Sequence, residues 1–353
     1  MSAPEFANRV LNDAAERHAS DVHFEPTADG YEIRFRLDGL LSTYQQIDHE
    51  TGRTVVSRLM VMANLLTYRV GVPQEGRFAV PLESISASPT LRLAVMPTTH
   101  GMRAVVRLPA ELSQPRDLET LGLPASVLDH LKRFAETDQG MLLFTGPAGS
   151  GKTTSIYALL EHIVSQRPGL SVISLEDPVE RDLRHVTQIE IKPFGELSYE
   201  SVLRSVLRQD PQVLVIGEIR DRETATIAIQ AALTGHRLVS TLHAGTPVGA
   251  IARLLEMGVE PYQISNAIYG VVGQRLLRRC LSDGSYQGRF PIAEFAAMDE
   301  SLRTTVLRNS DTASLGRCVE EQPGYRSLRD VAMDAVRDGV TDQSEIDRVC
   351  AAL

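Results

Sequence analysis

Residues Gly146, Pro147, Ala148, Gly149, Ser150, Gly151, Lys152 and Thr153 have the spacing Gly-x4-Gly-Lys-Thr, which wraps backbone N–H groups around phosphate oxygens. Glycine is required because a Cβ would block the approach of an anion or the φ that the turn needs. Lys152 is expected to bridge the β- and γ-phosphates and the Thr153 hydroxyl to bind Mg²⁺; Thr154 is counted with the nucleotide-binding set. A glycine-rich turn with an incidental lysine is the bland alternative. The flanks oppose it: the apolar run Met141 to Phe144 precedes the loop and the helical pattern TSIYALLEHI follows, giving strand, loop and helix in the required order.

A phosphate loop implies nucleotide binding but not its use. In VLVIGEIRD, Val213 to Ile216 read as a buried strand that delivers Glu218 at its carboxyl end, where ligands of such sheets bind. A carboxylate there can orient and deprotonate water for attack on the γ-phosphate. Gly217 stands where an aspartate is usual, so the metal must lean on Thr153, water and another carboxylate. LEDPVE offers Glu176, Asp177 and Glu180 at a proline-enforced turn, with a solvated acidic turn as the open alternative. His236 and His243 flank the strand RLVST and are candidate sensors of the γ-phosphate, though a lone histidine is often structural.

Positioning these residues requires two kinds of element. From Pro124 onward the runs MLLFTG, LSVISLEDP, QVLVIGEIRD and RLVSTLHAG are short and apolar and alternate with helical stretches, which implies a parallel sheet covered on both faces. From Gly258 the chain reads as helices and loops. The first 110 residues differ: a helical pattern over 5 to 19, the alternating strand YEIRFRL before an Asp38-Gly39 turn, an amphipathic helix over 51 to 65, and a β-rich block over 76 to 108. They read as an α+β domain. Pro109, Pro115 and Pro124 punctuate a linker between the two.

The 353 residues carry 36 Lys and Arg against 45 Asp and Glu, a net charge of −9, which disfavours a nucleic-acid coat. Cys280, Cys318 and Cys350 are scattered and odd in number, which suggests a reducing compartment rather than a disulfide framework. No stretch has the length of a signal peptide's core or of a membrane span, so the expectation is a protein neither exported nor integral, with any membrane role peripheral.

The phosphate loop, SLEDPVE, LRSVLRQDPQVLVIGEIRD, ALTGHRLVSTLHAGTPVGAIARLLEMGVEP and GVVGQRLLRR, in this order, resemble the secretion ATPases of type II secretion and type IV pilus assembly. In family terms they look like the Walker A, aspartate-box, Walker B and histidine-box motifs. ERHASDVHFEP, IRFRLDGLL, VVSRLMVMANL, VPQEGRF and PTTHGMRAVVRLP are similar to the family's second N-terminal domain, and SLRDVAMDAVRDGVTDQSEIDRV to the tail of its secretion and pilus-extension members. The resemblance covers nearly the whole chain. It implies an α/β protein with a PAS-like α+β domain over 1–110, a linker over 111–122, and a RecA-like P-loop ATPase domain with a helical C-terminal region over 123–353. It also implies a cytoplasmic, ATP- and Mg²⁺-dependent hydrolase. The enzyme would work as a homo-oligomer, usually a hexamer, held peripherally at the inner membrane by a platform protein and powering pilus or pseudopilus assembly and protein secretion.

Carried over to matching positions, Glu218 is the catalytic glutamate, Glu176 and Asp177 belong to the metal-facing box, and His236 and His243 are the histidine-box pair. Arg77 and Arg92 match N-terminal-domain arginines that reach toward phosphates; Arg204, Arg208, Arg220, Arg253 and Arg289 match others on the ATPase domain, with Arg208 grouped among the catalytic residues. Guanidinium forks suit the charge that grows on phosphoryl oxygens, while a surface salt bridge is the alternative for each arginine singly. Three departures stand out. Cys280 is alone where the extension branch carries a four-cysteine zinc insert after a QRLxR helix, so no zinc site is expected. No counterpart of the family's extra upstream domain is expected, and LLTYRVGVPQEGR is less charged than its family counterpart. A retraction motor, a catalytically weak nucleotide-dependent scaffold and, more remotely, a DNA translocator are the competing readings. The acidic balance opposes the last.

Overall fold

Alternating apolar and charged residues shape the N-terminal part of the computed structural model, which describes residues 2–83, 89–109, 117–191, 198–308 and 311–351. The chain forms two units, residues 1–114 and 115–353. In the first, helix α1 (Ala3–Glu16) opens on a capping box in which Ser2 and Glu5 bond reciprocally, with Pro4 in the first turn. Strands β1 (Asp21–Pro26), β2 (Tyr31–Leu37) and β3 (Leu40–Ile47) follow, then α2 (His49–Met62), capped by Asp48, and β4 (Gln74–Ala79), β5 (Thr90–Thr98) and β6 (Gly101–Arg107). The β2–β3 turn has positive φ at both Asp38 (48°) and Gly39 (88°), as the tightest hairpin turns require.

The six strands form one antiparallel sheet in the order β3-β2-β1-β6-β5-β4. Period two sends Val22, Phe24, Ile33, Phe35, Leu91, Leu93, Val95, Ala104 and Val106 to one face, where they pack with Leu11, Val55 and Leu59 of the helices. Each such large side chain contributes about 1.5–3 kcal/mol by burial. Charged residues occupy the other face, giving the PAS-like α+β arrangement.

In the second unit the order is α3 (Ala125–Glu136), β7 (Gly140–Thr145), α4 (Lys152–Gln166), β8 (Val172–Glu176), β9 (Thr187–Glu190), α5 (Tyr199–Val206), β10 (Val213–Ile216), α6 (Arg222–Leu233) and β11 (Arg237–Leu242). Then come α7 (Pro247–Glu256), α8 (Pro261–Ala267), β12 (Ile268–Cys280), β13 (Tyr286–Ala297), α9 (Glu300–Leu307), α10 (Thr312–Glu320), α11 (Leu328–Arg337) and α12 (Gln343–Cys350). The sheet runs β13-β12-β7-β11-β10-β8-β9, parallel except at β13. The continuous apolar runs have a direct cause. Met141, Leu143, Ile173, Leu214 and Leu238 enter the core on one face, and Leu142, Phe144, Val172, Val213 and Val239 enter a second core on the other. This is the RecA-like layer, with its phosphate-loop strand near the centre.

Residues 111–116 of the expected linker lie outside the described residues, and beyond them Leu118 and Leu121 are buried in the second unit's core. One expectation changes. The stretch after Gly258, read as helices and loops, contains the long antiparallel hairpin of β12 and β13, and the QRLLRR segment is strand rather than helix. Gln, Arg and Leu are good helix formers, but pairing of residues 274–278 with Arg289–Ala293 of β13, in a strand whose first residues up to Gly273 pair with β7, overrides that propensity. Helices α11 and α12 pack on the hairpin around Leu277, Ile292, Leu328 and Ile346. Buried Glu345 anchors α12 there by accepting from Arg278 (backbone N 2.9 Å, Nη2 2.7 Å) and Arg348 (Nε 2.7 Å). Burial pushes this carboxyl up, but the two arginines outweigh it and hold it at about 2. Among the described residues no helix is long and apolar enough to cross a membrane.

Candidate active site

Parallel strands place their carboxyl ends on one side of the second unit, and the turns there carry most of the predicted chemistry. After β7, Gly146, Gly149 and Gly151 take φ of 147°, 74° and 87°, values open to glycine at little cost. A Cβ at Gly146 would stand 2.4 Å from the Gln274 carbonyl oxygen and 2.7 Å from Ser150 Oγ, so only glycine closes this loop. Lys152, at the first turn of α4, donates to the carbonyls of Gly146 (2.8 Å) and Pro147 (2.9 Å). An ammonium has three donors, so one remains for a phosphate oxygen. Burial lowers its pKa, the Glu218 carboxylate works against that, and Arg275 adds to it. Thr153 and Thr154 follow on the same turn.

The β10 turn carries Glu218, whose carboxylate is held from two sides. His243 Nε2 lies 3.0 Å from Oε1, and Arg220 Nε donates to Oε2 at 2.7 Å. Arg220 also reaches Asp177 Oδ2 at 3.5 Å, and its hydrogen bond to Glu218 raises its own pKa. The structure thus brings Glu218, His243, Arg220 and Asp177 into one cluster. Glu176, expected to face the metal, is turned inward: Tyr157 donates to Oε2, while Ser174 (2.7 Å) and Gln188 (3.0 Å) donate to Oε1. Glu180, four residues later in the chain, donates its backbone N–H to the Tyr157 hydroxyl (3.3 Å). Gly217 has a local reason to lack a side chain, because a Cβ there would meet the Tyr199 hydroxyl at 2.9 Å and the Leu175 carbonyl at 3.0 Å.

His236 does not join the cluster. It precedes β11 while His243 follows it, so six strand residues, about 20 Å at 3.3 Å each, separate them. His236 Nδ1 instead lies 3.1 Å from Ala231 O at the end of α6. Arg204 pairs with Glu200 on the exposed face of α5 (3.2 Å), Arg253 with Glu256 on α7 (3.2 Å), and Arg208 is exposed just past α5. Arg289 is exposed on β13. In the first unit the register aligns Arg36, Asp21, Arg107, Arg92 and Arg77 in one row across the charged face. Asp21 accepts from Arg36 (3.3 Å) and Arg107 (3.0 Å).

Gln274 and Arg275 were not singled out by sequence reasoning. Pairing of Gly273 with Thr145 brings them beside the phosphate loop. Buried Gln274 donates from Nε2 to Ser150 O (2.9 Å) and accepts from Ser155 Oγ (2.9 Å). Their position in the GVVGQRLLRR run was the only available signal. A nucleotide polyphosphate fits these residues: the glycine cradle, the N-terminus of α4, the remaining Lys152 donor, and a buried Ser150 hydroxyl that has no hydrogen-bond partner among the described residues. Mg²⁺ prefers hard oxygen donors, which the Thr153 hydroxyl and the Asp177 carboxylate provide.

Comparison with known proteins gives the family and the fold. The family described as Type II/IV secretion system protein matches residues 2–348. The chain is 34% identical over 378 aligned residues to the Type II secretion system ATPase E of Vibrio cholerae, covering 97% of this chain and 74% of that protein. It is 32% identical over 383 to the Type IV pilus assembly ATPase PilB of Thermus thermophilus, covering 98% of this chain and 42% of that one. The X-ray structure of the Legionella pneumophila ATPase DotB superposes with a TM-score of 0.80 at 21% identity, over 99% of this chain and 96% of that one, a likeness of fold.

Proposed function

This chain belongs to the type II/IV secretion system protein family, and we propose that it is the ATP-hydrolysing motor of such a machine, powering pilus or pseudopilus assembly and protein secretion. The observation that carries the chemistry is Glu218, fixed between His243 and Arg220 at the end of β10, with its charge felt by Lys152 of the phosphate loop.

Glu218 accepts the proton of a water molecule as that water attacks the γ-phosphate in line. His243 and Arg220 hold the carboxylate so that one orientation persists. Lys152 and the backbone N–H groups of the loop stabilise the charge that grows on the phosphoryl oxygens. Thr153 and Asp177 would hold Mg²⁺, which when bound would supply further charge neutralisation to the phosphates. Arg77 and Arg92, with Arg208, Arg204, Arg253 and Arg289, contribute positive charge toward phosphates in an assembled homo-oligomer, for which a hexamer is the working arrangement. An inner-membrane platform protein is the partner that receives the motion and holds the motor at the cytoplasmic face.

Replacing Glu218 with Gln keeps shape and hydrogen bonding but removes the base, so turnover should fall by about 10²- to 10⁴-fold while ATP still binds. Lys152→Ala should lose both. Phosphate release measured on concentrated protein checks this, and parental turnover by Glu218→Gln removes the base assignment.

A further inference from the structure

Arg275 is 7% exposed, and although the charge of buried Glu294 bears on it, it makes no hydrogen bond to a carboxylate among the described residues. Its guanidinium donates only to backbone carbonyls: Nη1 to Gln274 O at 3.0 Å and Nη2 to Gly245 O at 2.6 Å. Those carbonyls belong to two different parts of the site. Gln274 is the residue whose side chain holds Ser150 of the phosphate loop, and Gly245 lies two residues past His243. The same short segment is gripped from the other side by Thr145, the last residue of β7. The Thr145 hydroxyl donates to Ala244 O (2.7 Å) and accepts from Ala244 N (3.2 Å). Residues 244 and 245 are therefore stapled at both positions to the strands that flank the phosphate loop, and His243 meets Glu218 from this fixed base.

A buried guanidinium is a costly way to satisfy two carbonyls, because burial works against its charge. Its planar fork gives what a lysine cannot, two divergent donors at fixed separation. The geometry points to Arg275 as a positioning residue for hydrolysis: it locks the segment carrying His243 to the strand that supports the phosphate loop, so that His243 is held in register with Glu218. This rests on the reading of Glu218 as the base of an ATPase.

The test uses the full chain carrying Arg275→Lys, alone and with His243→Ala, and reads kcat, KM and backbone amide exchange. Losing one charged hydrogen bond at the staple lowers kcat by about tenfold with KM within about twofold. In the His243→Ala background the same change costs less than about twofold, because the residue it acts through is gone. Amide exchange over residues 243–246 speeds up while that over 146–151 stays as in the parent. Equal losses in both backgrounds, a rise in KM in step with the loss of kcat, or unchanged exchange over 243–246 each overturn the assignment. Should Arg275→Lys not fold, Arg275→Gln, which can still reach one carbonyl, gives the same comparison. If the parent itself does not hydrolyse ATP, the ATPase reading fails, and the exchange experiment still decides whether Arg275 fixes the His243 segment.

Discussion

Replacing Gln274 with Met removes a 1%-exposed amide of similar length and leaves two groups of the phosphate loop and its helix without their partner. The two losses are not equal. Ser155 can turn its hydroxyl to the carbonyl of Gly151, four residues earlier, which already accepts the Ser155 N–H. The Ser150 carbonyl has no such recourse, and a buried acceptor left unmet costs about 1–3 kcal/mol. Gln274 Nε2 also stands 2.8 Å from where a Cβ of Gly151 would be, so the amide defines the wall against which the loop folds. If the cost falls on the loop alone, ATP must first restore its shape, and affinity drops by about 5- to 150-fold for 1–3 kcal/mol. If it falls on the whole unit, thermal unfolding shifts instead. Equilibrium binding of a fluorescent ATP analogue and thermal melts with and without nucleotide divide the cost between the two. An affinity within about twofold of the parent together with an unshifted melt would refute the buttress.

Three further outcomes follow from the same geometry. Gly217→Ala forces a Cβ against the Tyr199 hydroxyl and the Leu175 carbonyl and should destabilise by about 1–3 kcal/mol in chemical denaturation, with Tyr199→Phe relieving part of the loss; a neutral Gly217→Ala contradicts the contact. Tyr157→Phe strips one donor from Glu176 and the acceptor of the Glu180 N–H, and should lower stability by about 1–2 kcal/mol in the same assay. Glu345 is held below its ordinary value, so its contribution is fully present above pH 4.5 and is lost as pH falls toward about 2. That contribution is about 2 kcal/mol after allowance for the half-open Arg348, and Glu345→Gln should flatten the acid limb of the unfolding midpoint plotted against pH.

Local chemistry was legible in the chain. The phosphate loop, Glu218 and the apolar runs each declare themselves within ten residues, because a glycine turn or a doubly buried strand is a short-range pattern. Alternation marked the strands around Arg77, Arg92 and Arg107 equally well, but not that the three arginines are neighbours, since register depends on pairing across strands. Gln274 and Arg275 were invisible for the same reason: their partners Ser150 and Gly245 lie 124 and 30 residues away. The helix expected over QRLLRR came from the family resemblance and the helical reading after Gly258, and it yields to long-range pairing with β13. Glu176 was read from its strand-end position, whereas its orientation is set by Ser174, two residues earlier on the same face of β8, and by Tyr157 and Gln188, which sequence spacing does not connect to it.

The β12–β13 hairpin ends in an exposed turn over residues 281–285, closed by the Leu281 N–H to Ser285 O bond at 2.7 Å. The paired stretch from Gly270 to Arg278 keeps its own register, and the contacts to the phosphate loop and to Glu345 all arise within it. Extra chain spliced into that tip would hang from the end of a rigid stem, displacing no residue of the nucleotide site. The tip is therefore a natural attachment point: a fluorophore, an affinity tag or a small folded module placed between Asp283 and Gly284 would report on the motor without entering its chemistry, and any such module could be gained or shed without rebuilding the sheet.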